Sequence, residues 1–111
     1  MALDANALAS QMLNAALPGL KQHATDAESF AKMEFNKLAQ TLVSIEAQLA
    51  AGEITQDQAD LLLDMQKNAS RSVLLALKGM ALLAAEEAIN SALSVVAGVV
   101  NAAVHFTLIP T

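Results

Sequence analysis

After Glu87 the chain carries no Asp, Glu, Lys or Arg: the 24 residues Ala88 to Thr111 hold no formal charge when His105 is neutral. A stretch this apolar must be covered by the rest of the protein, by a partner or by lipid. Residues 5–20 are also free of formal charge. The net charge of −5 therefore resides in residues 1–70, with nine acids and four bases. Residues 71–111 hold Arg71, Lys78, Glu86 and Glu87 and sum to zero.

Length and composition narrow what can cover it. The 111 residues make one domain, 1–111. Hydrophobic residues are 55% and charged residues 15% of the chain, which is too apolar for disorder. With no Cys there is neither a disulfide framework nor a thiolate metal site. Excess acid disfavours specific nucleic-acid binding. Four Gly and two Pro are too few for a many-stranded β fold. The expectation is an all-α protein. Residues 1–20 hold Asp4 and neither Lys nor Arg, so no secretory signal peptide is expected there.

Local signals bound three helices. Helix 1 spans about 2–17 and is stopped by Pro18-Gly19. Helix 2 spans about 25–51, opened by a capping box at Thr25-Asp26-Ala27-Glu28 and closed by Gly52. Helix 3 starts at a second capping box, Thr55-Gln56-Asp57-Gln58, and meets no proline before Pro110. It is expected to run from 55 to 106, about 75 Å, with Gly79 as the one kink point. Helix 2 carries a heptad-like seam of Ala31, Phe35, Leu38, Leu42, Ile45 and Leu49. Helix 3 should fold back antiparallel onto that seam, with helix 1 beside residues 84–105. The fold expected is a long antiparallel helical hairpin with a short N-terminal helix, oligomerising into a ring, barrel or bundle.

At 100° per residue the polar positions of helix 3 change sides. Glu87, Ser94, Gly98, Asn101 and His105 fall within about 40° of one another, with Ser91 at the edge and Asn90 just outside. Asp60, Asp64, Lys67, Arg71 and Lys78 cluster on the opposite face. Two explanations stand open. In the first, the tail inverts its polar face in an apolar setting, so that Glu87, Asn90, Ser94, Asn101 and His105 line a lumen or a subunit contact. Alternatively, a bend at Gly79 re-phases the two halves. Small residues recur at Ala84, Ala88 and Ala92 and at Ser94, Gly98 and Ala102, spacings that permit close helix packing. Ala88 to Ile109 is 22 residues, about 33 Å, enough to span a bilayer core. With Asn90, Asn101 and His105 inside it and no aromatic belt, an oligomer burying the stripe is favoured over a lone span.

No catalytic, cofactor or metal constellation is legible. His23 and His105 lack a third ligand, and Asp57, Asp60 and Asp64 lie on a helix rather than in a calcium loop. Glu86 and Glu87 point about 100° apart and form no acid–base pair; they mark a solvated turn, an inter-subunit ring or a pore mouth. Met12, Met33, Met65 and Met80 read as gap-fillers. No enzyme is expected.

The acidic turn Gly52-Glu53-Ile54-Thr55-Gln56-Asp57-Gln58 and the Ala/Val/Ser-rich tail Ala88–His105 resemble small helical proteins of phage virions and secretion machines. The phage resemblance implies a helical conduit through a bacterial envelope. Type III needle subunits are similar as short helical hairpins, although the apolar tail departs from their pattern. The function expected is a self-assembling, membrane-associated ring or channel subunit, part of a virion or envelope-spanning assembly, with its apolar end at Ala88–Ile109. The alternative is a soluble hairpin interaction or filament subunit whose apolar end partner proteins bury.

Overall fold

The computed structural model describes residues 3–24 and 26–110. They form four helices: α1 (Ala5–Lys21), α2 (Ala27–Ala50), α3 (Gln56–Leu75) and α4 (Leu82–Val104). Among the described residues there is no strand, so the all-α class holds. The long two-membered hairpin does not. Four antiparallel helices follow one another around a bundle of 42 × 22 × 22 Å, α4 closing it against α1.

α1 starts at Asp4, whose carboxylate accepts from the Asn6 and Ala7 amides at 3.0 and 3.4 Å. It does not stop at Leu17. Pro18 lies inside the helix, which continues to Lys21. An interior proline costs about 3 kcal/mol. Pro18 is on the exposed face, and the extra turn places Leu20 fully in the core, which returns about 2 kcal/mol. Leu8, Met12, Ala16 and Leu20 make the buried stripe.

α2 buries Ala31, Phe35, Leu38, Leu42 and Ile45, while Leu49 is half-buried at the rim. Thr25 lies outside the described residues; Asp26 stands at the N-cap and its side chain makes no capping bond. The other end closes as a Schellman motif. The Glu53 amide donates to the Gln48 carbonyl at 2.9 Å and the Gly52 amide to Leu49 at 3.1 Å, with Gly52 at φ 72°. Thr55 and Gln58 then complete a reciprocal capping box.

The predicted helix 55–106 is two helices. α3 ends at Leu75, the chain turns through Ala76–Ala81, and Gly79 sits at the corner with φ 90°. A Cβ on Gly79 would stand 2.6 Å from the His23 carbonyl oxygen, so the α3–α4 turn is pressed against the α1–α2 turn. The reason is coverage. A straight rod would leave its second half alone in water; the turn lets α4 bury Ala85, Ile89, Leu93, Val96 and Val100 inside the bundle. The switch of the polar positions from one face to the other follows from this break. Of the methionines read as gap-fillers, Met12 is buried and Met80 partly so, but Met33 and Met65 are exposed.

α4 ends at His105, in the left-handed region at φ 65°. The chain then reverses, and Leu108 and Ile109 dock back onto the bundle. This tail lies beside Asp60 and Asp64 of α3, so the uncharged end is not segregated from the acidic end as the hairpin required.

Candidate functional site: the outer face of α4

α4 has two faces. Inward lie Ala85, Ala88, Ile89, Ala92, Leu93, Val96, Ala97 and Val100. Outward lie Glu87, Asn90, Ser91, Ser94, Val95, Gly98, Val99 and Ala102, all exposed. Val95 and Val99 are 50% and 41% exposed. Beyond Glu87 this outer face has no charged group, an unusual surface for a helix in water.

The five residues expected to share one lumen or inter-subunit stripe divide among different surroundings. Glu87 rims a shallow cleft of about 140 Å³ between α1 and α4. Asn90 and Ser94 border the open side between α3 and α4, where two clefts of about 400 and 540 Å³ lie. Asn101 is a tail anchor. Its side-chain oxygen accepts from the Leu108 and Ile109 amides at 3.0 and 2.9 Å, and its nitrogen donates to the Ile109 carbonyl at 2.9 Å. His105 forms the exposed left-handed corner, a conformation in which His is enriched. Within one chain Asn101 is bonded to the chain's own backbone, and Glu87, Asn90, Ser94 and His105 are exposed.

The two small-residue strings also part company. Ala84 and Ala88 face Ala15, Ala16 and Gly19 of α1, and Ala92 is fully buried, so this string serves packing within the chain. Ser94, Gly98 and Ala102 are exposed, and a Cβ on Gly98 would meet nothing within 4 Å. The close approach expected at Gly98 is therefore not made inside the chain. Val96 and Val100, off this string, are core residues.

Glu86 pairs with Arg71 at 3.6 Å across the α3–α4 opening, both side chains about two-fifths exposed. Such a pair contributes at most about 1 kcal/mol. Sequence reasoning passed over Glu34, which is 1% exposed and bonded to Lys37 Nζ at 3.3 Å. Its position between Ala31 and Leu38 on the buried seam was the available signal. Ser70, fully buried, accepts from Gln66 at 3.1 Å. His23 lies at the end of the bundle near Gly79, while His105 lies past the far end of α4. No group of three potential metal ligands occurs among the described residues.

By length and composition α4 could cross a membrane: it has 23 residues, and an 18-residue stretch within it has a mean hydropathy of 1.4. The core helix of a soluble bundle has the same properties, and 44% of that stretch is buried here. Comparison with protein-family models, curated proteins and solved structures finds no match to this chain.

Proposed function

We propose that this protein is a structural, non-catalytic subunit that assembles with copies of itself through the outer face of α4. The observation that carries it is the charge-free surface from Asn90 to Ala102, with Val95 and Val99 exposed and Gly98 open. Burying a valine gains about 1.5 kcal/mol, and Ser94, Gly98 and Ala102 permit a neighbouring backbone to come close. A virion or secretion assembly, which the sequence resemblance implies, is a setting that fits such a subunit.

A membrane-associated ring or conduit is the second form of the proposal, favoured by the length and hydropathy of α4. It requires α4 to give up its place against α1. Native mass spectrometry and light scattering, with and without detergent, separate the two. Oligomers in plain buffer support assembly of closed bundles; oligomers in detergent alone support the membrane form. Gly98→Leu and Val95→Lys should abolish association through the α4 face, leaving species no larger than a dimer, while the helical signal stays intact, since both sites are open in the single chain. A monomer in both media at millimolar concentration refutes the proposal.

A further inference from the structure

α3 is the least embedded helix. It buries only Ala59, Leu63, Ser70 and Leu74. Its solvent face carries Leu61, Met65, Asn68, Ser72 and Leu75, spaced 4, 3, 4, 3, the a/d pattern of a coiled-coil seam. All five are exposed, Leu61 and Met65 to 59% each. This second heptad stripe points away from the bundle and has no cover.

The charges beside the stripe specify what would cover it. With Met65 and Ser72 at a, and Leu61, Asn68 and Leu75 at d, the g positions of α3 fall on Asp57, Asp64 and Arg71, and Lys78 follows seven residues on, in the turn past the helix end. They are two acids followed by two bases at strict seven-residue spacing. The e positions on the other flank, Leu62, Ala69 and Ala76, are uncharged. In an antiparallel pair g meets g of the partner helix and e meets e. Setting Met65 against Asn68 of a second copy, and Leu61 against Ser72, brings Asp64 to the second copy's Arg71 and sets Asp57 toward the turn that carries its Lys78. The two-fold repeats both arrangements. One register thus aligns the layers, pairs Asp64 with Arg71 on both sides of the two-fold and leaves Asp57 facing the turn with Lys78, whereas parallel pairing sets the charged flank against an uncharged one.

We propose that the outer face of α3 is an isologous docking surface for a second copy of this chain, the two helices antiparallel about a two-fold axis. This surface is distinct from that of α4 and does not rest on it. Its seam is short and half polar, so the dimer should be weak, with Kd in roughly the micromolar range, and weakened further by salt. Arg71 is shared in the dimer between its own Glu86 and the second copy's Asp64.

The test uses the full chain carrying Val95→Lys and Val99→Lys, so that association through α4 is already removed. Sedimentation equilibrium should show a monomer–dimer equilibrium. Asp57→Lys with Asp64→Lys should weaken it at least tenfold, and so should Arg71→Glu with Lys78→Glu. Mixing the two variants should restore dimerisation, because all-basic then meets all-acidic. Orientation is read by cysteine cross-linking in the otherwise Cys-free chain. Leu61→Cys mixed with Ser72→Cys should form a disulfide, and Leu61→Cys alone should not. A monomer at millimolar concentration, charge variants that dimerise as well as the parent, or self-linking of Leu61→Cys would each overturn the proposal. Circular dichroism confirms that each variant is folded before it is scored.

Discussion

Gly79→Ala is the substitution that bears hardest on this fold. Gly79 has φ 90°, where an L-residue pays about 1–2 kcal/mol. The added methyl would also meet the His23 carbonyl oxygen at 2.6 Å, a backbone atom that cannot swing aside. Displacing one turn from the other adds strain of about 1–2 kcal/mol. The total expected loss is about 3 kcal/mol. Two other glycines calibrate it within the same chain. Gly52 has φ 72° but open space around its Cβ direction, so Gly52→Ala should lose only about 1 kcal/mol. Gly98 is helical and open, so Gly98→Ala should gain up to about 1 kcal/mol. Urea denaturation followed by circular dichroism gives all three, with an unchanged m-value required for the comparison. At about 4–8 °C per kcal/mol for a domain near this size, Gly79→Ala should lower Tm by roughly 12–24 °C. If it costs no more than Gly52→Ala, the turn-on-turn contact is wrong. If it stabilises, the chain prefers the continuous rod from 55 to 106, and the bundle is refuted.

Four further substitutions probe other points. Asn101→Ala removes three bonds to the tail and should cost about 2 kcal/mol, with hydrogen exchange at the Leu108 and Ile109 amides accelerated ahead of global unfolding; unchanged protection there would contradict the anchor. Lys37→Ala leaves the buried Glu34 carboxylate without its ammonium partner and should cost about 1–3 kcal/mol, whereas Glu34→Met should be neutral or stabilising in the same urea assay. Pro18→Ala should stabilise by about 1–3 kcal/mol because the helix runs through that position; a neutral result would place the end of α1 at Leu17 after all.

Local chemistry written into adjacent residues was legible in the sequence. The Schellman turn at Gly52 and the capping box at Thr55 each complete their bonds within a few residues, so no distant partner was needed to infer them. The inward position of Phe35, Leu38 and Leu42 follows from periodicity alone. The breaks misread, at Pro18 and Gly79, were decided by partners far away in the chain. Pro18 is overruled by the burial of Leu20. Gly79 forms a full corner because the apolar face of α4 finds α1 only if the chain reverses there. Asn101 stands out in the sequence as a polar group in an apolar stretch, but the bonds it makes are to its own tail, brought back by the reversal at His105, which no local pattern announces. The face of α3 was passed over because its stripe is half polar and was read together with the charges beside it.

The placement of α4 against α1 sets the order in which the molecule can be completed. Consecutive helices α1, α2 and α3 can pair as they leave the ribosome, yet one side of α1 waits for a helix encoded some sixty residues later. Until α4 is made, part of the stripe that holds Leu8, Met12 and Ala16 has no cover, and the α3–α4 side, the more open one, offers little to guide α4 home. The final step is thus a long-range closure, slow for a helical bundle of this size and the point at which unfinished chains can meet one another.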